Sequence, residues 1–180
     1  MARRFDPGSS QCYYTTTAPN LTDYPCTFAS WFFWDDLGGI EAILSVRDAS
    51  NAVLEIGCMP IGFPTTFPCV YIGTTVGGWS NSRYQGISYA SWHSIIGVFN
   101  SATNRTIYYD AATGATDAVN KAFIGTPNRV TIGAQTHAWV ASYFDGAIAY
   151  SAIWDVALTS SERSSLAAGS GRCGIASSSA

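Results

Sequence analysis

The nine residues Cys26–Trp34 read Cys-Thr-Phe-Ala-Ser-Trp-Phe-Phe-Trp, and Asp35-Asp36 and Gly38-Gly39 follow them. A short run that is apolar on both faces and closed by turn residues reads as a strand buried in the middle of a sheet. The same grammar recurs along the chain. Segments rich in Val, Ile, Thr and aromatics fall at residues 11–17, 41–47, 52–59, 69–75, 91–100, 105–110, 129–134 and 144–154, each bounded by Gly, Pro, Asn or Asp. Asp48-Ala49-Ser50-Asn51 and Ser101-Ala102-Thr103-Asn104 have the length of hairpin loops. Turns this regular, with no helix between strands, predict an all-β sandwich of two antiparallel sheets and exclude a βαβ fold.

One helix is signalled, near the carboxy terminus. Thr159-Ser160-Ser161-Glu162 is a capping-box pattern, and the segment runs through Leu166 to a stop at Gly169. Residues 1–169 are therefore expected to form one domain. Residues 170–180 are Gly/Ser/Ala-rich and simple; they read either as a flexible tail or as an arm ordered by a neighbour.

Composition limits the partners. The 180 residues are 47% hydrophobic, enough for one core, but only 12% charged, with Lys121 the single lysine. That is about half the usual charged share, so part of the surface is expected to meet a partner or a neutral ligand. A net charge of −3 argues against nucleic acid, because Arg3 and Arg4 alone do not make a basic patch. No apolar run has membrane-spanning length, and Met1 to Pro7 lacks the apolar stretch of a secretory signal, so synthesis in a host cytoplasm is expected. The five cysteines, Cys12, Cys26, Cys58, Cys69 and Cys173, have no zinc-ligand spacing and read as reduced and mostly buried. The Asn20-Leu21-Thr22 and Asn104-Arg105-Thr106 glycosylation patterns read as chance without a secretory route.

Several segments together carry a family likeness: Arg3-Arg4-Phe5-Asp6, the stretch from Tyr24 to Phe32, Trp92 to Phe99, Asn104 to Asp110, and Phe144 to Thr159 before the helix. In this order, over about residues 3–169, they resemble the strand motifs of laminin G-like domains in the concanavalin A-like lectin/glucanase superfamily. The resemblance implies a jelly-roll sandwich with its termini close together. It also resembles stand-alone copies in tailed-phage virions, which decorate heads or contact hosts through lectin-like surfaces.

Glucanases of this broad fold need an acidic pair about 5 Å apart, whereas the only glutamates are Glu41, Glu55 and Glu162, and Asp35-Asp36 read as a strand stop. Serine hydrolysis needs Ser, His and an acid brought together; with only His93 and His137 and no Gly-x-Ser-x-Gly, His93 reads as structural. Calcium, which related domains hold at a loop rim, needs about six to eight oxygens, and Asp23, Asp35, Asp36, Asp48 and Asp117 are scattered. No catalytic residue, metal or cofactor is therefore expected. For sugar stacking the candidates are Trp79, with Asn81 and Tyr84 beside it, and Trp139; Trp31, Trp92 and Trp154 read as core. Two functions follow as expectations. The first is a non-enzymatic virion protein that decorates a capsid surface, a homo-oligomer bound to the major capsid protein or other virion proteins. The alternative is a lectin-like module of a tail or fibre, bound to a host surface glycan.

Overall fold

A computed structural model of the chain describes residues 2–17, 19–35, 39–59, 68–136 and 141–169. Strands dominate: β1 (Arg3–Phe5), β2 (Tyr13–Thr15), β3 (Cys26–Trp34), β4 (Glu41–Asp48), β5 (Val53–Met59), β6 (Cys69–Thr74), β7 (Ser80–Gln85), β8 (Trp92–Ser101), β9 (Asn104–Tyr109), β10 (Ala112–Asp117), β11 (Pro127–Ile132), β12 (Ala134–Thr136), β13 (Ala141–Tyr143) and β14 (Gly146–Trp154). A single-turn 3-10 segment at Pro7–Ser9 and helix α1 (Ser160–Ala167) complete the described elements.

Two six-stranded sheets form, in the orders β1-β14-β3-β8-β9-β10 and β2-β11-β4-β5-β6-β7, and β12 and β13 pair separately as a hairpin. Every described pairing is antiparallel. The expected jelly-roll sandwich is the fold. β3 keeps its predicted limits and lies third in its sheet, between β14 and β8, with the second sheet on its inner face and Leu158 and Leu166 packed at Ala29 on its outer face.

The core lies between the sheets. Phe28, Phe32, Trp34, Ile95 and Phe99 of the first sheet meet Leu44, Val46, Leu54, Ile56, Val70 and Ile72 of the second, all fully or almost fully buried. At about 25 cal/mol per Å² of apolar surface removed from water, this layer is the main source of stability. On the outer face of the first sheet, Leu158, just before α1, and Leu166 within it cover Ala29, Ile96 and Val98. The amino terminus of α1 is capped as predicted: Thr159 Oγ1 accepts from Glu162 N–H and Glu162 accepts from Thr159 N–H. Gly169 follows at φ 72°, the left-handed value that favours glycine at a helix end.

Three tryptophans expected in the core stand elsewhere. Trp92 is 41% exposed, with its ring against Phe33 on the outer face of the first sheet. Trp31 and Trp154 are half-buried beside α1, where Trp31 Nε1 donates to Leu166 O. The reason is strand parity: β3 and β8 are apolar on both sides, and only alternate residues reach the inter-sheet space. Cys26, Cys58 and Cys69 are buried and unbridged, Cys12 is half-buried and unbridged, and Cys173 lies outside the described residues. No described helix is long and apolar enough to cross a membrane.

Candidate functional site

The register of the second sheet decides which side chains leave the core. Core residues Leu54, Ile56 and Cys58 point inward from β5, so Glu55, Gly57 and Met59 point outward. Glu55 pairs with Ser45 on one side and Gly73 on the other, Gly73 pairs with Asn81, and Ser45 pairs with Thr131, itself opposite Tyr14. One row of outward-facing residues thus crosses the whole sheet.

Two glycines make room on this face for aromatic rings. A Cβ on Gly73 would lie 2.7 Å from Trp79 Cη2, and one on Gly57 would run into the backbone oxygen of Glu41 and lie 2.8 Å from Tyr71 Cε1. The rings of Trp79 and Tyr71 therefore lie directly on the backbone of β6 and β5, where any larger residue would lift them. They meet edge to face, with centroids 5.6 Å apart. Tyr71 is buried, whereas Trp79 keeps 42% of its surface exposed. Asn81 and Arg83 follow Trp79 at two-residue steps on the same face, and Arg83 Nε donates to Asn81 Oδ1 at 2.6 Å, which fixes the amide and the guanidinium together.

Beside this platform sits a buried carboxyl group. Glu55 Oε1 accepts from the Tyr71 hydroxyl at 2.9 Å, and Oε2 accepts from Gln135 Nε2 at 2.6 Å. Burial drives its pKa up to about 7, against the lowering effect of these two bonds. Gln135 comes from β12, and the β12–β13 hairpin folds over the outer face, where Ser45 Oγ donates to Ala134 O. On the same outer face, Arg47 of β4 stands directly opposite Arg129 of β11. Arg129 Cζ lies 4.8 Å from the ring centre of Tyr14, which is 62% exposed. Burial and the charge on Arg129 push the Arg47 pKa below its ordinary value.

Of the sequence-derived sugar-binding candidates, Trp79 and Asn81 share the outer face. Tyr84 is turned the other way: it is half-buried against the core and stacks on Tyr109 with centroids 5.2 Å apart. The parity of β7 separates it from Asn81. Trp139 and His137 lie outside the described residues. Tyr71, Glu55, Arg83 and Gln135 were not anticipated. Gly73 and Gly57 inside otherwise apolar runs were the available signal, since a strand glycine often marks a close approach.

The acidic residues are engaged in local contacts. Asp35 pairs with Arg4, Asp117 accepts from Arg105 and Ser80, Asp48 accepts from Ser50, Ala52 and Gly125, and Asp23 accepts from Tyr24 N–H. Asp36 lies outside the described residues. Among those described, no three His, Cys, Asp or Glu side chains converge. Glu41 and Glu55 do not form an acidic pair either. Glu41 accepts from the core residue Trp34 and so lies on the inner side, while Glu55 is on the outer side.

A family model described as "Concanavalin A-like lectin/glucanases superfamily", Laminin_G_3, matches residues 7–162. No curated protein matches the sequence. Among solved structures, this fold is similar to a heptameric SAP-like pentraxin from Limulus polyphemus, at TM-score 0.61 and 14% identity, covering 92% of this chain and 84% of that one. It is also similar to domain 4 of AbnA, an arabinanase from Geobacillus stearothermophilus in complex with arabinotriose, at TM-score 0.65 and 15% identity over 87% and 81% of the two chains. A third is the Ruminococcus gnavus IT-sialidase CBM40 bound to alpha2,3 sialyllactose, at TM-score 0.65 and 16% identity over 83% and 84%.

Proposed function

From the premise that the chain belongs to the concanavalin A-like lectin/glucanase superfamily, we propose that it is a lectin-like glycan-binding module whose ligand lies on the outer face of the second sheet. The observation that carries this reading is the exposed indole of Trp79, resting against Gly73 beside the fixed pair Asn81 and Arg83. A pyranose offers an apolar face for the indole and hydroxyls for the amide and guanidinium. Such a ring, held on a strand, needs little further ordering to bind. Arg83, beside Trp79 and Asn81, favours a sugar that carries a carboxylate, which a guanidinium grips with parallel hydrogen bonds. The similar structures include one bound to sialyllactose and one in complex with arabinotriose, which supports an oligosaccharide as the ligand class. Capsid decoration has no counterpart among these structures, and the lectin-like alternative is therefore preferred.

The test is titration calorimetry against a panel of neutral and carboxylated oligosaccharides. Trp79→Ala should weaken the best ligand tenfold or more, about 1.4 kcal/mol. Gly73→Ala, whose methyl group displaces the indole, should weaken it in the same direction. Failure of every glycan to bind at millimolar concentration would exclude the reading.

A further inference from the structure

Away from the glycan-facing surface, a cluster of polar side chains gathers around His93, which faces the space between the sheets. Asp110 Oδ2 lies 2.6 Å from His93 Nδ1, and Ser91 Oγ lies 2.6 Å from His93 Nε2. Ser88 Oγ is 3.0 Å from the same Nε2. The other oxygen of Asp110 accepts from Ser94 N–H at 2.8 Å and from the Ser94 hydroxyl at 3.3 Å. The imidazole is wedged between Tyr109, at 4.8 Å between ring centres, and Phe32, at 6.1 Å.

The chemistry of the acceptors orders this chain of bonds. A carboxylate can only accept, so Nδ1 carries the hydrogen, and in the neutral imidazole the lone pair stands on Nε2, facing the Ser91 hydroxyl. An acid orienting an imidazole that in turn receives a serine proton is the arrangement that makes a serine nucleophilic. The imidazole is nearly enclosed, while Ser91 is only half-buried. Ala90, next to Ser91, stands at φ 54°, a value rare for a residue with a side chain, whereas Asp110 and Ala111 owe theirs to the two-residue turn between β9 and β10.

We propose that Ser91 is an activated nucleophile toward carboxylic esters, with His93 as its base and Asp110 as a positioning residue. Ser91 Oγ bonds to the ester carbonyl carbon while its proton passes to His93 Nε2. The carbon–oxygen bond to the alcohol breaks, and the leaving alcohol takes that proton. Water then gives a proton to Nε2, attacks the acyl-serine, and releases the carboxylic acid as Ser91 regains its hydrogen. This reading is independent of glycan binding, because none of its residues lies on the outer face of the second sheet.

A fluorophosphonate probe tests it on the full chain. Ser91 Oγ should form a bond to phosphorus as fluoride leaves and the hydroxyl proton moves to His93, giving an adduct located by peptide mass mapping. The adduct should vanish in Ser91→Ala, persist in Ser88→Ala, and form about 100-fold more slowly in His93→Gln and Asp110→Asn. Should the His93 and Asp110 variants fail to fold, cysteine reports instead: the thiol of Ser91→Cys should be alkylated by iodoacetamide at least tenfold faster than that of Ser88→Cys. No adduct on Ser91 in the folded protein, an adduct on Ser88 instead, or equal reactivity of the two thiols would each overturn the proposal.

Discussion

Glycine in a strand gives up side-chain packing and order, so Gly57 and Gly73 have to be explained by what lies on them. Tyr71 and Trp79 occupy the space their missing side chains leave. The same residue scale holds the pH dependence. Burial raises Glu55 from its ordinary 4.5 to about 7, so the folded form keeps a proton that the unfolded chain has already lost. Stability associated with this proton is full below pH 4.5 and is lost as pH rises toward 7, by about 3 kcal/mol, with little further change above. Glu55→Gln keeps a group that can pair with both Tyr71 and Gln135, and it should flatten the fall in melting temperature between pH 5 and 8 seen in the parent. An unchanged slope in the variant would place the titration on another group. Trp79 and Asn81 were legible in the sequence because an aromatic next to glycines and polar residues is expected at the surface. Glu55 was not: an isolated glutamate in an apolar run gives no sign that its two oxygens will meet Tyr71, sixteen residues on, and Gln135, eighty residues on. Ser91 and His93 are two apart on the chain, but Asp110 joins them only through the pairing of β8 with β9.

At the scale of elements, the strands that periodicity revealed are those with an apolar face. β7 (Ser-Asn-Ser-Arg-Tyr-Gln) and β10 (Ala-Thr-Gly-Ala-Thr-Asp) escaped, because both are sheet edges of polar composition. Their place is set by buried polar bonds that tie the two edges together. Ser80 Oγ donates to Asp117 Oδ2 at 2.5 Å, and the wholly buried Arg105 donates to Asp117 at 2.8 Å and to Ala102 O and Val119 O. No hydropathy pattern reports such a seam. Helix α1 is the opposite case, since its cap is local and was readable from four consecutive residues. Thr159→Ala removes the oxygen that accepts from Glu162 N–H and should cost about 1 kcal/mol, measured by urea unfolding. A loss below a few tenths would mean that docking of Leu158 and Leu166 alone holds the helix.

For the whole molecule, one inter-sheet layer carries the fold. Phe28 and Phe99, with no exposed surface and ring centres 5.0 Å apart, belong to adjacent strands whose side chains fill that layer. Phe28→Ala should destabilise by about 3–5 kcal/mol, because the packed sheets close only in part around the lost volume. Circular dichroism and tryptophan fluorescence should then report one shared, lowered midpoint, as a single core requires. Separate midpoints would mean that the sheets unfold independently. The alternation of apolar and polar residues, the turn residues between them and the capping box determined by themselves that this chain is a two-sheet sandwich with a terminal helix, because these are short-range properties of backbone and solvent. Which face of the second sheet carries Trp79, Asn81 and Arg83, and which distant groups reach Glu55 and His93, was decided only by tertiary structure. Strand register is fixed by the packing of the whole layer, and a shift of one residue would have turned every one of these side chains the other way.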